Sequence, residues 1–251
     1  MLKYRIIPCL LFNDKTIVKS VKFKDLRMVG DPTTVARVFN ERKADEMIFL
    51  DIMASRKNKE PNFAVIEGIA RECFMPLTIG GGIKNMQHVD KLFQIGADKI
   101  SLNTALVKNP DLIMEIVKKY GSQAVVASID AKKTDNGYRC FISSGNEESE
   151  YNPIELAKIA ESLGAGEILL NSIDKDGTME GYDLELIRMV SSSVGIPVIA
   201  CGGCGKVEDF VSAIKIGADA VCAASIFYFV GESMISSKDY MSKKGLNMRL
   251  L

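Results

Sequence analysis

The chain has 251 residues, 25% of them charged and 47% hydrophobic, with 32 basic and 32 acidic side chains and so no net charge. A neutral chain lacks the basic surplus of nucleic-acid or anionic-membrane binders, and no apolar run reaches the length of a membrane span, so none of these is expected. The start, MLKYRIIPCLLF followed at once by Asn13, Asp14 and Lys15, reads as a first strand and not as a leader, which makes the expected location cytoplasmic.

In chain order, Arg5 to Leu11 is an apolar strand, and Lys15 to Lys24 reads as an extended excursion. Asp31 caps a helix through about Lys43 with Pro32 in its first turn. Strands then fall at Glu46–Ile52, Pro76–Ile79, Lys99–Leu102 and Gln123–Ile129. Between them lie helices at Pro61–Phe74, Asn85–Gly96 and Pro110–Tyr120. Asn136-Gly137 marks a hairpin turn, and Asn152-Pro153 opens the next helix. The last strands are Glu167–Leu170, Pro197–Ala200 and Asp219–Ala224, with helices at Leu184–Ser193 and Val207–Gly217, then a short helix and a C-terminal one.

Eight strands alternating with eight helices predict a closed parallel (β/α)8 barrel spanning residues 1–251 as one domain, with its site at the C-terminal strand ends. An internal repeat agrees: Glu46 and Glu167, Gly82 and Gly203, and Thr104 and Ser225 are each 121 residues apart. Two half-barrels are expected. Their repeated glycine turns and hydroxyl residues suggest two anion sites facing each other across the mouth, hence a doubly phosphorylated small molecule. The alternative is that the glycines only permit tight strand-to-helix turns.

Asp130, ending strand five, is a candidate general acid or base, or else a helix cap or a partner for Lys132. Asp51, at the end of strand two, is similar. Asp174 and Asp176 imitate a fragment of a calcium loop without its remaining ligands, so no metal is expected, nor any other cofactor. Arg5, Glu46, Lys99 and Glu167 all stand at strand starts, where two charges of each sign can close a salt-bridge ring across the barrel bottom. The six cysteines mostly lie in apolar runs, and Cys201-x-x-Cys204 lacks the second pair or histidine of a zinc site. The only histidine, His88, reads as facing solvent, so no Cys–His or Ser–His–Asp constellation is expected.

Long ordered segments, among them RIIPCL, TIGGGI, SIDAK, GAGEILLNSIDKDGT and AASIF, resemble the cyclase subunit of imidazole glycerol phosphate synthase, the HisF family. The resemblance implies ammonia from a separate HisH-like glutaminase docked at the barrel bottom, with Arg5, Glu46, Lys99 and Glu167 as the gate and Asp98 as a partner contact. It implies one phosphate at Gly82, Asn103 and Thr104, and the other at Asp176, Gly177, Gly203, Ala224 and Ser225. Asp130 would be one of two catalytic carboxylates.

The chain departs from the family pattern at Leu11, where the second catalytic Asp is expected. It departs again at Lys15 and Ser20 in place of glycines, and at Asn171 and Cys201 in place of hydroxyl residues. This combination resembles a divergent branch associated with bacterial surface polysaccharides, in which a HisF-like subunit and a glutaminase supply ammonia to a sugar amidotransferase. The alternatives are a histidine-pathway cyclase in which Asp51 or Asp14 replaces the lost carboxylate, and a phosphate-binding barrel without turnover.

Overall fold

In a computed structural model, which describes residues 3–249, eight parallel strands close on themselves. They are β1 (Arg5–Phe12), β2 (Met47–Asp51), β3 (Leu77–Gly80), β4 (Lys99–Leu102), β5 (Val125–Thr134), β6 (Glu167–Ser172), β7 (Val198–Cys201) and β8 (Ala220–Ala223). Each pairs with the next, and β8 returns to β1 with Arg5 opposite Ala220. This is a closed (β/α)8 barrel. Around it run α1 (Pro32–Glu41), α2 (Phe63–Glu72), α3 (Met86–Ile95), α4 (Asp111–Tyr120), α5 (Pro153–Ser162), α6 (Leu184–Ser191), α7 (Val207–Ile216) and α8 (Met234–Lys243).

The two-residue alternation of a strand divides its side chains between two cores. Ile7, Cys9, Ile48, Val126, Leu169, Ile199, Ala220 and Cys222 pack inside the barrel. Their neighbours Ile6, Leu10, Phe49, Ile79, Ile100 and Ile168 face the helices, in a much larger apolar layer. Strands buried on both faces must be apolar almost throughout, which is why these segments were conspicuous in the sequence.

Helix ends follow local chemistry. The Asp31 carboxylate accepts from Thr34 N at 2.9 Å, and Asn85 accepts from His88 N at 2.9 Å. Asn152 and Glu155 form a reciprocal capping box on α5. Gly96 ends α3 in the left-handed region.

Three features differ from the sequence expectation. The excursion after β1 is an antiparallel hairpin, Ile17–Val21 with Lys24–Gly30, the first strand of which pairs with β1. Strand β5 runs on to Thr134, because beyond the barrel wall it pairs antiparallel with Gly137–Ile142 across the foreseen Asn136-Gly137 turn. His88 does not face solvent: its side chain is only 15% exposed, and its ring meets Phe63 edge-on at 6.0 Å. The α2–α3 contact covers a helix face that spacing alone assigned to the outside.

Candidate functional site

The two ends of the barrel carry different chemistry. At the strand-start end, Arg5 Nη1 donates to Glu46 Oε1 (2.8 Å) and Glu167 Oε1 (2.9 Å). Lys99 Nζ donates to Glu46 Oε2 (2.9 Å) and Glu167 Oε1 (3.2 Å). The four residues close a neutral ring across the interior, as their positions suggested. Glu167 Oε2 is buried without a hydrogen-bond partner, so the ring retains an unused acceptor.

Asp98 stands beside this ring and is exposed, but one of its oxygens, Oδ2, already accepts from Leu77 N at 2.8 Å. Asp219 does the same for Val198 N at 2.9 Å. The offsets 219 − 98 and 198 − 77 are both 121, so this brace belongs to the half-barrel repeat. On the same end, Phe74 is 84% exposed in the segment leading into β3. A large apolar ring in water at the barrel bottom is a feature the sequence reading missed, since an aromatic after a helix normally reads as core.

At the strand-end rim a cavity of about 1310 Å³, counting its open mouth, gathers Asp130 and the residues that the resemblance assigns to phosphate binding. Gly82, Asn103 and Thr104 line one side. Asp176, Gly177, Gly203, Ala224 and Ser225 line the other, with Asp130 and Leu11 between. The glycines are required by geometry: both have positive φ, and a Cβ on Gly203 would lie 2.2 Å from Gly181 O. A Cβ on Gly82 would lie 2.7 Å from that of Ala54. Such turns bring backbone N–H groups against a ligand where a side chain would intervene.

Several candidate side chains have structural duties. Asn103 Nδ2 donates to Ser128 O and Phe141 O, and Thr104 Oγ1 accepts from Ser143 N. The Asp176 carboxylate accepts from Ser20 Oγ at 2.6 Å and Phe23 N at 3.4 Å, and so pins the first hairpin over the cavity. That hairpin also delivers Lys19, a residue the sequence reading passed over. Lys19 is 6% exposed, lines the cavity and donates to Cys9 O at 2.9 Å. A lone lysine inside the apolar strand IVKSV was the available signal.

Asp130 is buried on β5, opposite Asn171 on β6, while Lys132 Nζ lies over the Phe141 ring, 5.9 Å from its centroid. Burial raises its carboxyl to about 7, helped by the charge of Asp176 and opposed by a hydrogen bond from Asn171. A group poised there holds or releases a proton near neutrality, the property a general acid–base needs.

The alternative acids are engaged elsewhere. Asp51 Oδ1 accepts from Met53 N and Ala54 N, and burial raises its carboxyl. Asp14 forms ion pairs with Lys57 and Lys59, which hold its carboxyl below the usual range. At β1, Leu11 projects toward the cavity, in contact with the interior apolar cluster. Among the described residues, no group of three or more His, Cys, Asp and Glu side chains is arranged to hold a metal ion. No described helix is long and apolar enough to cross a membrane.

The closed (β/α)8 barrel thus carries a charged ring at its strand-start end and a glycine-rimmed, carboxylate-bearing cavity at its open strand ends. The model of the histidine biosynthesis protein family matches residues 5–231, and the chain belongs to that family, on its HisF side. It is 46% identical to the HisF subunit of imidazole glycerol phosphate synthase from Hydrogenobaculum, covering all of both chains. It is 44% identical to the subunit of the same description from Exiguobacterium sibiricum, over 99% of this chain and all of the relative. A Pseudomonas aeruginosa protein, described provisionally as imidazole glycerol phosphate synthase subunit hisF2, is 46% identical over 92% of this chain and 93% of its own.

Proposed function

We propose that the chain is the ammonia-receiving barrel of a glutamine-dependent synthase whose acceptor differs from that of the histidine-pathway cyclase. A HisH-like glutaminase docks on the strand-start face around Phe74 and Asp98, and ammonia enters through the ring of Arg5, Glu46, Lys99 and Glu167. The acceptor is a phosphorylated small molecule held at the two glycine turns, and the product is an amidated surface-polysaccharide sugar, formed together with a sugar amidotransferase. The observation that carries this reading is Leu11, which puts an alkyl group in the cavity while Asp51 and Asp14 are held by other partners. Loss of one acid–base group is worth ~10²–10⁴ in rate.

A second reading keeps the cyclase activity that the HisF relatives' descriptions imply. It is favoured by Asp176, a second carboxylate lining the cavity, whose charge Asp130 feels. The two readings share the glutaminase and part at the acceptor.

The shared part is tested by mixing the protein with a HisH-type glutaminase. Co-elution, with glutamine hydrolysis stimulated at least tenfold, is the expected result. No association and unchanged hydrolysis at micromolar concentrations of both chains would remove the ammonia-receiving role from both readings.

A further inference from the structure

Three of the six cysteines meet on the interior wall. Cys201 at the end of β7 and Cys222 on β8 are register partners on adjacent parallel strands, and both line the cavity. Such partners stand ~4.8 Å apart, within the ~4.4–6.8 Å between Cα atoms that a disulfide spans. Cys222 and Cys9 of β1 lie in the same interior apolar cluster, and Cys201 packs against it. Cys204, the other half of the C-x-x-C, is engaged elsewhere, its Sγ donating to Lys206 O at 3.7 Å. The motif's first cysteine therefore finds its thiol partner across the sheet and not along the chain. Cys201 is half-buried at the cavity, whereas Cys222 is completely buried behind it.

We propose that Cys201 and Cys222 are a modification site for hydrogen peroxide, closing to a reversible disulfide beneath the Gly202-Gly203 turn. Cys201, reached from the cavity, gives up its proton, and its sulfur attacks one peroxide oxygen. The O–O bond breaks, the leaving hydroxide takes that proton to become water, and Cys201 is left as a sulfenic acid. The Cys222 sulfur then attacks the Cys201 sulfur, the S–O bond breaks, and the hydroxyl departs with the Cys222 proton as a second water. Two thiols are oxidised to one disulfide, and one peroxide is reduced to two waters. The link would tie β7 to β8 directly below one of the two glycine turns. None of this depends on which molecule the cavity accepts.

The test is thiol titration and peptide mapping of the full chain after hydrogen peroxide treatment. The expected result is loss of two of six thiols, a Cys201–Cys222 linked peptide, and recovery of both thiols with dithiothreitol. Cys204→Ala keeps the linkage, and Cys222→Ala removes it, with Cys222→Ser as a second variant should the alanine chain fold poorly. A Cys201–Cys204 linkage would overturn the proposal. So would thiol loss that is equal in wild type and both Cys222 variants, or no loss at all.

Discussion

At the scale of single residues, Asp130 makes the sharpest thermodynamic statement. Its folded value of about 7 lies above the ordinary 3.8, so between roughly pH 4 and 7 the folded state binds more protons than the unfolded one. Stability therefore falls as pH rises through that window and levels off above it. The ceiling is about 4 kcal/mol, from ~1.36 kcal/mol per unit. Asp130→Asn, which cannot ionise, is expected to raise the melting temperature by on the order of 5–10 °C at pH 8 and by ~1 °C at pH 4. A gain independent of pH would refute the cause given. The location of Asp130 was legible in SIDAK, at the end of an apolar run; its protonation was not, since that depends first on burial in the assembled barrel and then on Asp176 and Asn171 from another strand and its loop.

Among elements, the first hairpin is the part whose role the sequence concealed. Lys15 to Lys24 reads as extended from its alternation, but nothing local shows that Ser20 and Phe23 reach Asp176, some 150 residues away in the chain. That attachment brings Lys19 over the cavity. Asp176→Asn weakens two hydrogen bonds to a charged acceptor, worth ~1.5–3 kcal/mol each. Proteolytic cleavage within residues 21–25 is expected to accelerate about tenfold, with the barrel intact by circular dichroism. An unchanged cleavage rate would show that the hairpin is held by something else. The helix caps, by contrast, are written in the sequence because Asp31, Asn85 and Asn152 act on N–H groups within three residues. His88 was misjudged for the opposite reason, because what covers it is Phe63 of another helix.

The C-terminal clasp and the lower face belong to the whole molecule. Lys238 of α8 is 3% exposed, and its Nζ donates to Asp45 Oδ1 and Lys43 O, both at 2.8 Å, while Asp45 Oδ2 accepts from Ile6 N at 3.0 Å. One buried ion pair thus ties the last helix to the strand-start end of the barrel. Lys238→Met strands a buried carboxylate at a cost of about 3–5 kcal/mol, and adding Asp45→Asn is expected to recover part of it. Denaturant titration of both variants checks this, and a single variant as stable as wild type would rule the clasp out. On the lower face, Phe74→Glu is expected to weaken glutaminase association at least tenfold by calorimetry while leaving the melting temperature within a degree. Unchanged affinity would place the partner elsewhere. Barrel closure and the 121-residue repeat were readable from periodicity alone, whereas the exposed Phe74 was not, since exposure is a property of the assembled face.

The most direct measurement of the central claim is turnover of the bisphosphorylated ribulosyl substrate of the HisF family with ammonium salt as nitrogen source, wild type beside Leu11→Asp. Ammonium bypasses any glutaminase, so the assay reads the cavity alone. The account predicts no cyclisation by the wild type and, in the variant, turnover at least a hundredfold above that background. Wild-type turnover at rates matching a HisF relative would contradict it and make this chain a working cyclase with a displaced acid.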